Sequence, residues 1–231
     1  MDEASKSQID RLGDRLRTGD IDEEDFRLLD YYRLSFREAF EFVVRRIRDD
    51  LGFEPTGRPA KSTTSIAEKL RRETIRLTQI QDIAGCRIVT PDILEQELVV
   101  IELEYQFKGA IVIDRRDNPS HGYRAVHVIV RHRGKLVEIQ VRTALQHLWA
   151  ELSEKLADLI DPAIKYGGGG ENRPYVLDKT SEMVARTEKL EWELTQIPEE
   201  DRPQDADSHV EESKAWLFNF LRTQIEELTG K

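Results

Sequence analysis

The sequence predicts an α+β or mixed α/β domain, and three observations carry that expectation. Residues 20–51 show apolar side chains three or four apart, the period of an amphipathic helix. The stretch HGYRAVHVIVRHRGKLVEIQVRT, His121 to Thr143, reads as two alternating strands around a tight turn. Short apolar runs alternate with helical patterns ahead of that hairpin, and helical patterns return from Ala144 onward.

From Asp20 to Leu51, residues such as Phe26, Leu29, Phe36, Phe40 and Ile47 share a face, with acids early and arginines late. One long helix ending near Gly52 is the expectation. FEPTGRPA has two prolines and a glycine and reads as an exposed connector. STTSIAEKLRRE opens on hydroxyl residues suited to capping, so a helix should follow with Ile66, Leu70 and Ile75 inward. The run Ile83 to Val89 predicts a turn into a buried strand, interrupted at Gly85. PDILEQELVVIELEYQF predicts a helix with Pro91 in its first turn, and GAIVIDRR a short buried strand. Beyond the hairpin, helices are expected over about Ala144–Ile160, Tyr175–Ile197 and His209–Leu228. Tyr166–Pro174, with four consecutive glycines, is expected to be a flexible loop.

At 231 residues and 39% hydrophobic, the chain can bury a core but is short for two full-sized domains. A division into an N-terminal helical region (1–52), a core (53–165) and a glycine-rich loop with C-terminal helices (166–231) follows. The single cysteine, Cys86, excludes an internal disulfide and a cysteine-rich zinc site. Its apolar neighbours predict a buried thiol, and a cytoplasmic setting is the expectation. No apolar run approaches the ~20 residues a membrane helix needs, so no membrane partner is expected.

A formal net charge of −10 argues against a broad nonspecific nucleic-acid surface. Basic residues nevertheless gather between Arg58 and Arg87 and between Arg115 and Arg142, and a basic cleft on an acidic protein can recruit a polyphosphate. In the C-terminal helices, Met183, Leu190, Trp192, Leu194, Trp216, Leu217, Phe220 and Leu221 either pack on the domain or build a homo-oligomer interface.

With Arg133 and Gly134 as a two-residue turn, His132 faces Lys135 and the hairpin sorts into two faces. Arg124, Val126, Val128, Val130, Val137, Ile139 and Val141 form one, expected to be core. Tyr123, Ala125, His127, Ile129, Glu138, Gln140 and Arg142 form the other. A sheet with one wet face would explain such polar residues without any site. The grouping also suits chemistry: a strand carboxylate can hold Mg²⁺ or take a proton from a hydroxyl, a tyrosine can stack on a base, and arginine can brace phosphates. Asp82 is the second candidate carboxylate, and two acids among Lys and Arg suit metal-assisted phosphate transfer. A helix cap for Asp82 and a surface ion pair for Glu138 are the plain alternatives.

GRPAKSTTSIAEKLRRE strengthens the phosphate reading. Arg58 and Lys61 flank a helix start whose Ser62, Thr63, Thr64 and Ser65 offer hydroxyl and N–H groups where anions are favoured. GxxxxGK[ST] is absent, so this is not a Walker loop.

KSTTSIAEKLRRE, IQDIAGCRIVT, HGYRAVHVIV and VEIQVRTALQHLWAELSEKL, in that order over about Arg58 to Leu156, resemble the synthetase domain of the RelA/SpoT family of pyrophosphokinases. At this length the hydrolase domain and regulatory tail of the long members are not expected, and the chain resembles the small single-domain synthetases.

The resemblance implies a nucleotidyltransferase-like mixed β-sheet flanked by helices. It also implies transfer of the β,γ-pyrophosphate of ATP to the ribose 3′-hydroxyl of GDP or GTP, giving (p)ppGpp. By motif position, Asp82 and Glu138 would be catalytic and would hold Mg²⁺. Arg58, Lys61, Ser65, Lys69 and Arg87 would surround ATP, and Tyr123, His127, Gln140, Arg142 and Arg115 would order the acceptor. DRRDNPSHGYR departs from the family by carrying Arg115, Arg116 and His121 where many members have a lysine and an asparagine. A toxic branch of the family includes members that modify the 3′ end of tRNA. The tRNA acceptor end, an antitoxin protein and a homo-oligomer are therefore further partners the resemblance allows, and a catalytically inactive nucleotide-binding module is a third class.

Overall fold

The computed structural model describes residues 4–169 and 174–230. Its strands are β1 (Thr56–Arg58), β2 (Ala84–Thr90), β3 (Ile111–Asp114), β4 (Val126–His132) and β5 (Lys135–Thr143). They form one mixed sheet in the order β1-β2-β5-β4-β3. The helices are α1 (Lys6–Thr18), α2 (Glu23–Leu34), α3 (Arg37–Leu51), α4 (Thr63–Arg72), α5 (Ile93–Gln106), α6 (Ala144–Leu159), α7 (Tyr175–Thr195) and α8 (Ala206–Thr229). The α+β class expected from the sequence is the one observed.

The chain divides into two compact units. The first comprises Met1–Ile88, Glu104–Ile111 and Val128–Gln140, and the second Val89–Leu103, Val112–His127 and Val141–Lys231. In the first, α1 packs on α2, on α4 and on a 3-10 turn at Leu77–Gln79. In the second, α6, α7 and α8 share a core that includes Trp149, Leu156, Leu177, Leu217 and Leu221. The C-terminal helices thus pack through Leu217, Leu221 and Ile225, while Trp216 stays exposed and stacks on Phe220.

The helix expected over residues 20–51 is two helices. At the break, the Ser35 hydroxyl donates to the Tyr32 carbonyl at 2.6 Å and the Ser35 N–H donates to Tyr31 at 3.1 Å. Such local side-chain bonding competes with helix continuation. The ring of Phe36 is buried beyond the break, edge-on to Tyr32 at 5.2 Å, and the Lys135 ammonium lies 5.3 Å from its centroid. Apolar spacing runs straight through the break, so periodicity alone does not reveal it.

The connector FEPTGRPA is exposed as expected but contains β1, which pairs antiparallel with β2: Thr56 with Arg87, Gly57 with Cys86, Arg58 with Gly85. β2 continues through Gly85 without interruption. Both glycines answer to close backbone approach, because a Cβ on Gly57 would lie 2.5 Å from the Gly85 carbonyl and one on Gly85 would lie 3.0 Å from the Glu138 carbonyl.

Pro91 lies outside α5. Asp92 caps that helix, its carboxylate accepting from the Glu95 N–H at 2.7 Å. β3, expected to be buried, is an edge strand of the sheet, and its Ile111 is 54% exposed. Ile75 falls beyond α4 and is half-buried, whereas Leu77 is fully buried in the 3-10 turn. Of the loop expected over Tyr166–Pro174, residues 170–173 lie outside the described residues.

The hairpin turns as expected, with Arg133 and Gly134 at φ of 46° and 78°, the left-handed pair that a two-residue turn requires. Val126, Val128, Val130, Val137, Ile139 and Val141 are all buried. Arg124, placed with them on the face expected to be core, is only half-buried, whereas Ala125, Ile129 and Arg142 on the opposite face are buried.

Replacing Gly57 by alanine forces β1 away from β2, because the new methyl meets backbone rather than a movable side chain. The expected loss is about 1–3 kcal/mol in urea unfolding, the usual range for overpacking. A midpoint unchanged from the parent protein would contradict this geometry.

Candidate active site

In the first unit, the centre of the candidate site is an aspartate between two lysines. Asp82, just ahead of β2, accepts from the Lys61 ammonium at 2.5 Å and from the Lys69 ammonium at 2.9 Å. All three side chains are largely buried. Burial by itself drives the Asp82 carboxyl up, but the charges and hydrogen bonds of Lys61 and Lys69 outweigh it and bring the group down to about 2. Asp82 is therefore an anion throughout the neutral range, and the plain reading of it as a helix cap is replaced by an ion cluster.

Local structure places each member. The Lys61 N–H donates to the Ile83 carbonyl at 2.6 Å and the Lys61 carbonyl accepts from Arg33 at 2.8 Å, so its backbone is held on both sides. Ser62 caps α4 by accepting from the Ser65 N–H at 3.2 Å, and its hydroxyl donates to that of Ser65 at 2.8 Å. Ser65 and Lys69 are one helical turn apart on α4 and share a face. Arg58 is exposed on β1, and Arg87 is half-buried on β2 opposite Thr56.

Glu138 and Gln140, two apart on β5, share a strand face, and the Gln140 amide donates to a Glu138 carboxylate oxygen at 2.7 Å. That bond orients the carboxylate. The absence of a side chain at Gly85 leaves the Glu138 backbone room to approach β2. Burial, with the Glu138 charge adding to it, pushes the Cys86 thiol up to about 12, so this cysteine is a protonated core residue at neutral pH.

Tyr123, His127 and Arg142 meet in the second unit. The Tyr123 hydroxyl lies 3.1 Å from His127 Nε2 and accepts from Arg142 Nη2 at 3.0 Å. The Arg142 guanidinium also sits 4.9 Å from the Tyr123 ring centroid. Tyr123 is consequently a braced, half-buried ring with a buried arginine against one face. Of the two arginines ahead of HGYR, Arg116 is bound to Asp114 and Glu97, while Arg115 contributes its N–H to the Ala125 carbonyl at 3.0 Å.

A buried network that the sequence reading missed lies in the same unit. Gln96 donates to the Val141 carbonyl at 2.9 Å and to Gln146 at 2.8 Å. Gln146 donates to Glu188 at 2.9 Å, and the Thr143 hydroxyl also bonds Glu188. These bonds hold the backbone on either side of Arg142. The signal available in the sequence was Thr143 and Gln146 at capping-box spacing, a pairing the structure contains.

The two carboxylates proposed for Mg²⁺ offer hard oxygen donors of the kind the ion takes from proteins, one or two acids completed by phosphate oxygens and water. In donor type they fit. Both Asp82 oxygens are engaged by lysines here, so holding the ion there would require a lysine to give up its bond.

An ionised aspartate among lysines and a strand carboxylate on β5, on an α+β sheet, are groups of the kind that phosphate chemistry uses. Residues 57–157 match the model of the region found in RelA / SpoT proteins. The chain is 34% identical over 158 residues to the GTP pyrophosphokinase YjbM of Bacillus subtilis, covering 62% of this chain and 70% of that relative. The chain belongs to the RelA/SpoT family. It is also 44% identical over 115 residues to an uncharacterized protein of Mycobacterium tuberculosis. That match spans 48% of this chain but only 42% of the relative's length. Among solved structures it resembles small alarmone synthetase 1 from Bacillus subtilis, with a TM-score of 0.53 at 27% identity over 76% of this chain and 97% of the other. The same enzyme bound to its product pppGpp matches with the same score and covers 98% of that chain.

Burial raises the Glu188 carboxyl from 4.5 to about 7, against the opposing effect of its Thr143 and Gln146 hydrogen bonds. The folded state therefore holds a proton that the unfolded chain releases, and stability falls as pH rises from about 4.5 through about 7. In urea unfolding across that window, Glu188→Gln should flatten the decline. An unchanged slope would remove Glu188 as its source.

Proposed function

We propose that the chain is a pyrophosphokinase that transfers the β,γ-pyrophosphate of ATP to the ribose 3′-hydroxyl of GDP or GTP. The Lys61–Asp82–Lys69 cluster carries this reading. Two sheltered ammonium groups held by one carboxylate form a charged site whose lysines can exchange that carboxylate for phosphate oxygens. Support comes from the GTP pyrophosphokinase of Bacillus subtilis and from the product-bound synthetase structure.

In this reading Lys61 and Lys69 bind the triphosphate, with Arg58, Ser65 and Arg87 around ATP. The cations offset the charge that repels an incoming oxygen. Mg²⁺, held by Asp82 and Glu138, would neutralise further phosphate charge when bound. The 3′-oxygen forms a bond to the β-phosphorus as the bond from that phosphorus to the oxygen bridging it to the α-phosphate breaks, and AMP leaves. The hydroxyl proton goes to a carboxylate oxygen of Glu138, which the Gln140 amide orients. Tyr123, braced by Arg142 and His127, offers its ring to the acceptor base, and Arg115 serves the acceptor phosphates.

Incubation with γ-labelled ATP and Mg²⁺, with GDP, GTP or deacylated tRNA in separate reactions, tests the acceptor. Label on guanine nucleotides supports the proposal. Label confined to tRNA replaces it with the tRNA-modifying reading, and no label on any acceptor, with the fold intact by circular dichroism, points to a nucleotide-binding module.

Glu138→Gln keeps the shape and removes the base, so transfer should fall by about 10²–10⁴-fold. Retained activity would take Glu138 out of the reaction. Asp82→Asn should also abolish transfer. In the ligand-free protein Lys61 and Lys69 keep Asp82 ionised, so an acid limb of kcat/KM near neutrality should belong to another group.

A further inference from the structure

Helix α5 is apolar on two sides, and only one of them is used. Ile93, Val99, Val100 and Leu103 are buried, whereas Leu94, Leu98, Ile101 and Tyr105 are 43–73% exposed. The exposed four are spaced four, three and four residues apart, the repeat of a coiled-coil seam, and run for about 16 Å at the helical rise. Glutamates border the seam on both sides: Glu95 and Glu102 along one edge, Glu97 and Glu104 along the other. Glu97 binds Arg116 at 2.7 Å, but Arg116 also holds Asp114, so that trio keeps a net negative charge.

We infer that this face of α5 docks an amphipathic helix of another protein, one with an apolar seam flanked by lysine or arginine. Exposed apolar residues at seam spacing need a partner surface of the same period, and the glutamate borders specify its charge. Pairing of α5 with the α5 of a second copy would set glutamate against glutamate in either direction, which disfavours self-association here. An anionic lipid surface is repelled by the same borders.

The test uses the whole chain and two labelled synthetic helices of about three heptads, with leucine along the seam and either lysine or glutamate at the flanks. At low salt, fluorescence anisotropy should show the lysine-flanked helix binding at least about tenfold tighter. Leu98→Glu with Ile101→Glu should weaken it by at least about tenfold, leaving the melting curve and transfer activity unchanged. Glu102→Lys with Glu104→Lys should shift preference toward the glutamate-flanked helix.

Equal binding of the two helices, no binding of either, or binding indifferent to the Leu98 and Ile101 changes would overturn the inference. So would self-association, seen by light scattering, that those changes dissolve, since it would make a second copy the occupant. Binding to neutral phospholipid vesicles lost in the same variant would reassign the face to lipid.

Discussion

The pairing of Asp82 with Lys61 and Lys69 is the interaction on which the candidate chemistry depends. A carboxylate as sheltered as this would ordinarily be pushed toward its neutral form, and two ammonium groups reverse that tendency. The two ammonium groups supply the counter-charge that a sheltered carboxylate needs. The surrounding backbone serves that cluster: Arg33 and Ile83 hold Lys61 from two sides, and the Ser62 cap starts the helix that carries Lys69.

The second unit is organised differently, around buried neutral and weakly charged groups. Gln96, Thr143, Gln146 and Glu188 satisfy one another and hold the backbone beside Arg142, which then braces Tyr123. Such a network demands full satisfaction, since an unpaired polar atom in a dry setting is expensive.

Much of this was legible in the residues. Alternation in the hairpin sorted the valines from Glu138 and Gln140, and the hydroxyl run at Ser62 marked a helix start. Four motif segments in order identified the family and singled out Asp82 and Glu138. The less legible features share a cause. The break at Ser35 does not disturb apolar spacing, β1 is only three residues of exposed strand, and Gly85 looks like an interruption until the neighbouring backbone is seen. Glu188 and Gln96 have the composition of surface residues, and only their positions beside Thr143 and Gln146 make them interior.

By itself the sequence determined the helix and strand periods, the turn at Arg133 and Gly134, the buried thiol and the family. These are local or compositional properties, encoded in spacing and residue type. Tertiary structure decided which charges meet. That Asp82 is clamped by two lysines, that Arg142 is buried beneath Tyr123, and that one apolar seam of α5 faces outward between glutamates depend on segments far apart in the chain. Electrostatic and packing energies follow distance and burial in space, which no single stretch of sequence contains.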